Sequence, residues 1–79
     1  MNRIKIEGSS NIAEIGHNGE KMTLEIKFHS GSIYQYWPIT NEGWEGLMKA
    51  ESKGKYFADN IRKNPQINYK EVDEMQGED

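Results

Sequence analysis

The residues that decide the fold are Lys21-Met22-Thr23-Leu24-Glu25-Ile26-Lys27-Phe28, then His29-Ser30-Gly31-Ser32, then Ile33-Tyr34-Gln35-Tyr36-Trp37. In the first block apolar side chains alternate with polar ones, which is the pattern of a half-buried strand. The last block is rich in β-branched and aromatic residues, which favour strands. Pro38 ends this second strand because proline cannot donate to the ladder. The stretch therefore predicts an antiparallel hairpin.

The turn of this hairpin decides which face carries Tyr34 and Tyr36. If Gly31 forms a bulge in a three-residue loop, Ile26 pairs with Tyr34 and both tyrosines join the apolar face. If Ser30-Gly31 is a two-residue turn, both tyrosines line up with Glu25 and Lys27 in solvent, because one residue of register exchanges the two faces. Glycine at the third loop position suits the bulged form. The turn chemistry thus favours a structural role for both tyrosines over a ligand-facing one.

Two segments upstream extend the predicted sheet. Arg3–Glu7 alternates polar and apolar residues, and Asn11–Ile15 has a weaker strand pattern. Asn18-Gly19 predicts a hairpin turn, because both residues tolerate a positive φ. The sheet is therefore predicted to be a meander of three to four antiparallel strands.

Helical signals follow the strands. Thr40 and Asn41 are candidate N-caps, and Trp44, Leu47 and Met48 share one face at helical spacing. Gly54 predicts the end of this helix. A second short helix is predicted over 55–63, with Phe57 and Ile61 four residues apart.

The order of strands before helices predicts an α+β fold, in which one or two short helices pack on one face of a small antiparallel sheet. Residues 1–65 are predicted to form one domain, and residues 66–79 an acidic, flexible C-terminal tail, although Ile67-Asn68-Tyr69 has the character to dock on the domain.

Composition narrows the class of protein. The 79 residues include no cysteine, so disulfides and thiolate metal sites are excluded, and a reducing, cytoplasmic location is expected. No signal peptide or membrane-spanning segment is predicted. The net charge of −3 combines an acidic C-terminus with a basic segment, since Glu71–Asp79 holds five acids and no base. Without those residues, ten bases stand against eight acids.

Three blocks of the sequence resemble the KTSC domain family. The first runs from Ser10-Asn11-Ile12 to Ile15-Gly16-His17, and the second is Leu24-x-Ile26-x-Phe28-x-x-Gly31-x-x-Tyr34-x-Tyr36. The third is Leu47-x-x-Ala50-x-Ser52-x-Gly54-x-Tyr56-Phe57-x-x-x-Ile61. The chain departs from the family pattern at His17, where tyrosine is usual, and at Pro38-Ile39, where the family tends to have Val-Pro.

The resemblance implies a small module that occurs at the C-terminus of some lysyl-tRNA synthetases and as a stand-alone protein in bacteria and phages. RNA binding has been suggested for this family. The residues themselves predict no cofactor and no catalytic residue.

The residues themselves also favour a binding module over an enzyme. No nucleophile–base arrangement, metal-ligand spacing or phosphate-binding glycine motif is present. His17 and His29 both fall in predicted turns, where a solvated imidazole is the ordinary case. The candidate contacts for a nucleic acid or a protein partner are basic residues near the second helix and aromatic residues. The basic ones are Lys49, Lys53, Lys55, Arg62 and Lys63, and the aromatic ones are Tyr34, Tyr36 and Tyr56.

Two functions remain open at this point. In the first, the basic segment contacts phosphates of RNA or another nucleic acid while aromatic rings stack on bases. In the second, the chain binds a protein, as a phage-encoded effector of a host protein would, by strand addition or through aromatic anchors. The basic segment also suits a solvated helix face, which most charge runs are.

Overall fold

The computed structural model describes residues 2–73 as a five-stranded antiparallel sheet with helices on one face. The strands follow each other in chain order as β1 (Ile4–Lys5), β2 (Ile12–Asn18), β3 (Thr23–Phe28), β4 (Ile33–Trp37) and β5 (Asn68–Val72). Between β4 and β5 come α1 (Asn41–Lys49), α2 (Lys53–Phe57) and a π-helical segment (Ala58–Arg62). The predicted α+β class is confirmed, but the sheet has one strand more than the upper prediction of four.

The β3–β4 hairpin adopts the bulged form. Gly31 has a φ of +99°, and the backbone N–H of Phe28 donates to the carbonyl of Ser32 at 2.9 Å. Ile26 consequently pairs with Tyr34, and Leu24 with Tyr36. The tyrosines therefore lie on the apolar face, as the glycine position predicted.

The core lies between this face and the helices. Ile12, Ile15, Leu24 and Ile26 from the sheet are fully buried, as is Leu47 from α1. Phe57 and Ile61 complete the cluster from α2 and the π-helical segment. The spacing of apolar residues therefore identified the correct helix faces. None of the helices within residues 2–73 is long and apolar enough to cross a membrane.

The helices begin at hydroxyl caps, and one of their predicted ends is wrong. Thr40 Oγ1 accepts from the N–H of Gly43 at 3.1 Å, and Ser52 Oγ accepts from the N–H of Lys55 at 3.2 Å. Such caps satisfy N–H groups that have no partner within the helix. Because Ser52 starts a new helix, α1 already ends at Lys49, and Gly54 lies in the first turn of α2 instead of terminating α1.

The β2–β3 hairpin forms with a longer loop than Asn18-Gly19 predicts. Asn18 pairs with Thr23, so four residues separate the strands. The side chain of Asn18 accepts from the N–H groups of Glu20 and Lys21 at 3.0 and 3.2 Å. The positive φ, +51°, is at Met22. The asparagine therefore shapes the turn through its side chain instead of its backbone conformation.

Strand β5 lies in the segment that was predicted to be a flexible tail. It pairs with β4 along its whole length, with Tyr69 opposite Tyr36 and Val72 opposite Ile33. The ordered domain therefore continues past residue 65. Four of the five residues of β5 are exposed, so the strand lacks the apolar alternation that would have revealed it. The remainder of the predicted tail, residues 74–79, lies outside the described residues.

A buried carboxylate ties the N-terminal strand to the sheet face opposite the helices. Glu25 is fully buried, and it forms an ion pair with Arg3 Nη1 and accepts from Gln35 Nε2 at 2.8 Å. Arg3 Nε also contacts Glu14 at 2.9 Å, and this hydrogen bond lowers the pKa of Glu14. Gly16 leaves room for the N-terminal segment that carries Arg3, because a Cβ at position 16 would overlap the carbonyl oxygen of Asn2.

Replacing Arg3 with methionine is expected to destabilise the fold by about 3 kcal/mol, because it leaves the buried Glu25 carboxylate without its counter-charge. Urea denaturation followed by circular dichroism measures this loss. Lys5→Met, at an exposed position of the neighbouring strand β1, serves as the control and should change stability by less than about 0.5 kcal/mol. Adding Glu25→Gln to Arg3→Met should restore part of the loss. Equal stabilities of Arg3→Met and Lys5→Met would refute this role of the ion pair.

Two glycines in α1 are expected to respond in opposite ways to alanine. A Cβ at Gly46 would overlap the hydroxyl of Tyr56, whereas one at Gly43 would only contact Ile39 at an ordinary 3.5 Å. Gly43→Ala should therefore stabilise the protein by about 0.5–1 kcal/mol through helix propensity, while Gly46→Ala should destabilise it by about 1–3 kcal/mol through overpacking. Thermal denaturation compares them. Stabilisation by both substitutions would show that Tyr56 is not tightly packed.

Candidate functional site

Three tyrosines form a contiguous aromatic surface on the helix side of β4 and β5. Tyr34 and Tyr36 are two residues apart on β4 and so share a face, while the register places Tyr69 opposite Tyr36. The ring centroids of each pair lie 6.2–6.3 Å apart. Exposure rises from Tyr36, which is 6% exposed, through the half-buried Tyr34 to Tyr69, which is 67% exposed. The surface thus runs from the core to solvent at the edge strand.

Two phenylalanines support the tyrosines from the core. Phe28 meets Tyr34 edge-on at 6.1 Å, and Phe57 meets Tyr36 edge-on at 5.1 Å. Such arrangements align the positive edge of one ring with the negative face of the other. Burial raises the pKa of Tyr36 to about 12, with a further contribution from Tyr34. Tyr36 is therefore an uncharged, buried ring against which the more exposed rings pack.

These rings line a groove of about 510 Å³, which we call the tyrosine groove. Its walls come from β3, β4, β5, the end of α2 and the segment that follows α2. The lining residues are Phe28, Tyr34, Tyr36, Phe57, Ile61, Arg62, Lys63, Asn64, Pro65, Ile67 and Tyr69. Arg62 is exposed at the rim, and its charge opposes the rise in the pKa of Tyr36. Lys63 lies beside it and contacts Asp59 at 3.8 Å. The groove thus combines flat aromatic rings with cations at one wall.

The eight candidate site residues divide into four groups in space. Four of them, Tyr34, Tyr36, Arg62 and Lys63, line the tyrosine groove. Lys53 and Lys55 line a separate groove next to the loop before β2. Lys49 is exposed at the end of α1, and Tyr56 is half-buried against Gly46. The basic residues from Lys49 to Lys63 therefore do not all line one groove, because they are divided among α1, α2 and the segment that follows α2.

Tyr69 is the residue of this site that was absent from the candidates. Its neighbours on β5 are exposed and polar, so no strand pattern placed it beside Tyr36. The only available signal was the Ile67-Asn68-Tyr69 segment, whose apolar residues were expected to be able to dock.

Both histidines contact backbone carbonyls, but only His17 departs from the predicted solvated imidazole, since it is half-buried whereas His29 is exposed. His17 lies within β2, where Nε2 contacts the carbonyl oxygen of Ile39 at 2.7 Å and the ring stacks on Trp44 at 5.3 Å. His29 does lie in a turn, with Nε2 3.0 Å from the carbonyl oxygen of Ser9. His17 therefore fills, with a flat ring, a position at which the resembled family usually has tyrosine.

Comparison with known proteins gives consistent matches. An uncharacterised protein of Stutzerimonas stutzeri is 33% identical over 57 residues, which span 72% of this chain and 79% of that protein. A lysine–tRNA ligase of Nostoc punctiforme is 39% identical over 54 residues, which span 68% of this chain but only 9% of the ligase. A similar match to the lysine–tRNA ligase of Trichormus variabilis is 41% identical and again spans 9% of that protein.

A solved structure shares the fold. The crystal structure of a KTSC domain protein from Yersinia pestis superimposes with a TM-score of 0.79 at 30% sequence identity, covering 90% of this chain and 96% of that one. The sequence pattern of the KTSC domain matches residues 8–64. This match spans the sheet from β2 to β4 and all the helices, so the chain belongs to the KTSC domain family.

Proposed function

We propose that this protein is a non-enzymatic module that binds single-stranded nucleic acid, RNA in particular, in the tyrosine groove. One observation carries the proposal, namely the three mutually adjacent tyrosine rings at an uncovered part of the sheet, with Arg62 on the facing wall. Bases stack on sheet aromatics in common single-strand-binding modules, and nearby cations contact the phosphates.

The exposure of Tyr69 supports a ligand at this position. The ring is 67% exposed, although it continues an aromatic surface that begins in the core. A base stacked on such a ring contributes about 1–3 kcal/mol to binding. Tyr69 is thus the ring best placed to gain from a ligand.

The geometry favours unpaired bases over a duplex. The groove lies between the sheet and the π-helical segment, and its more exposed tyrosine rings are available to stack on unpaired bases. In a duplex the base faces are stacked on each other and are not available to side chains. The similar segment of lysine–tRNA ligases, proteins named for charging a tRNA, adds weight to RNA as the ligand. Such a role agrees with the cytoplasmic location expected from the cysteine-free sequence.

A protein partner is the second candidate function. Strand β5 is the last strand of the sheet, four of its five residues are exposed, and one of them, Tyr69, lines the tyrosine groove. An extended peptide, from a host protein if the chain is a phage effector, would add to this edge through backbone hydrogen bonds. However, Lys70 and Glu71 place charges along the edge, and charged side chains are a usual device against strand addition. The groove therefore favours nucleic acid as the first candidate.

Replacing Tyr69 with alanine is expected to weaken the binding of a fluorescently labelled single-stranded RNA decamer by about 5- to 100-fold, because one stacking ring is lost. Fluorescence anisotropy measures the Kd. Tyr69→Phe should retain most of the affinity, since the ring remains. Lys70→Ala, on the opposite face of the same strand, is the control. Absence of binding by the unchanged protein at low salt, for single-stranded RNA and DNA of every base composition, would reject the proposed function.

A further inference from the structure

We infer that the bound strand does not end at the tyrosine groove but continues past Arg62 into a second, polar groove, where Lys55 and Lys53 contact its phosphates. This inference rests on the proposed function, and it extends the ligand from one or two stacked bases to a longer single strand. It also assigns a role to the loop before β2, none of whose residues line the tyrosine groove.

The polar groove lies between that loop and the start of α2. Its volume is about 270 Å³, and its walls are residues 6–11 on one side and residues 51–55 on the other. A third recess of about 340 Å³, which we call the middle groove, lies between the polar groove and the tyrosine groove. It shares Ser10, Asn11 and Gly54 with the polar groove, and Phe28, Phe57 and Arg62 with the tyrosine groove. The middle groove therefore adjoins both of the others.

Small side chains line the middle groove on the side formed by α2 and the π-helical segment, which we call the helical wall. Gly54, Ala58 and Arg62 are four residues apart and all line the middle groove. Gly54 has no side chain, and the nearest atom to its missing Cβ is Ser9 Oγ at 3.8 Å. This wall therefore has no long side chain at Gly54 and Ala58, and it ends at the guanidinium group of Arg62. Phe57, the other helical residue that lines the middle groove, is only 4% exposed, so between Arg62 and the lysines this wall offers a strand mainly small side chains.

The distribution of charge fits a phosphate backbone with a defined end. The residues that line the middle groove include Arg62 and the polar groups Ser10, Asn11, His29 and Ser30, but no carboxylate. Lys55 is exposed, and within residues 2–73 it forms no ion pair, while Lys53 Nζ donates to the carbonyl of Ala50 at 3.3 Å. Glu7 and Glu51 also line the polar groove, one on each wall. Their negative charges repel phosphates, so the path ends near the lysines.

The length of the ligand provides the test. Labelled single-stranded RNAs of two to twelve nucleotides are titrated with the unchanged protein, with Lys53→Gln/Lys55→Gln, and with Tyr69→Ala. Lys21→Gln/Lys70→Gln is the matched control, because it removes two exposed lysines on other surfaces. Each titration is repeated over a range of salt concentrations, and thermal denaturation checks that all variants fold.

The lysine pair should matter only for strands long enough to reach it. For the longest RNAs, Lys53→Gln/Lys55→Gln should weaken binding roughly tenfold or more at 0.1 M salt and reduce the slope of log K against log salt by about 1.4, since each single-strand phosphate contact contributes about 0.7. Dinucleotides should bind this variant as they bind the unchanged protein, whereas Tyr69→Ala should weaken binding at every length.

Two results would overturn the inference while leaving the proposed function intact. One is equal binding by Lys53→Gln/Lys55→Gln and Lys21→Gln/Lys70→Gln at all lengths. The other is an equal loss of affinity for dinucleotides and dodecamers in Lys53→Gln/Lys55→Gln. Such a result would indicate that the two lysines attract RNA through long-range electrostatics instead of contacting a bound strand. Failure of the unchanged protein to bind any of these RNAs would instead reject the proposed function itself.

Discussion

The register of β3 against β4 is the constraint on which the rest of this structure depends. Gly31, with a φ of +99°, absorbs one extra residue in the turn and so places Tyr34 opposite Ile26. A side chain at this position would have to adopt a conformation that residues other than glycine rarely take. Without the bulge, Tyr34 and Tyr36 would exchange faces with Ile33 and Gln35. The core and the tyrosine groove are therefore both consequences of one backbone conformation.

The same register also creates the buried charge on the other face. It places Gln35 beside Glu25, so the carboxylate has a hydrogen-bond donor on one side, and Arg3 supplies the counter-charge on the other. A buried carboxylate is tolerable only when it is paired and hydrogen-bonded. This requirement explains why β1, a strand of only two residues, is held to the sheet by a side chain in addition to its backbone pairing. The polar face thus secures an element that the apolar core alone does not hold.

Local chemistry was predictable from the sequence, whereas long-range pairing was not. The bounds of β4, the N-cap at Thr40 and the bulge at Gly31 follow from residues that are close in the chain, and all three are confirmed. Strand β5 owes its existence to partners more than thirty residues away, and its own exposed residues carry no pattern. Tyr69 was missed for the same reason. The basic residues from Lys49 to Lys63 do not share one groove because they are divided among α1, α2 and the segment that follows α2.

The uncovered tyrosines are a consequence of the small size of the helical layer. The helical segments of nine, five and five residues pack on the apolar face, yet Tyr34 remains half-buried and Tyr69 mostly exposed on β4 and β5. Aliphatic side chains at those positions would expose only apolar surface to water, whereas tyrosine provides an apolar ring with a polar end that water can solvate. The domain can therefore leave an aromatic surface open at moderate cost. Since exposure increases from Tyr36 to Tyr69, stability depends mainly on the inner ring, and the outer ring contributes less to it.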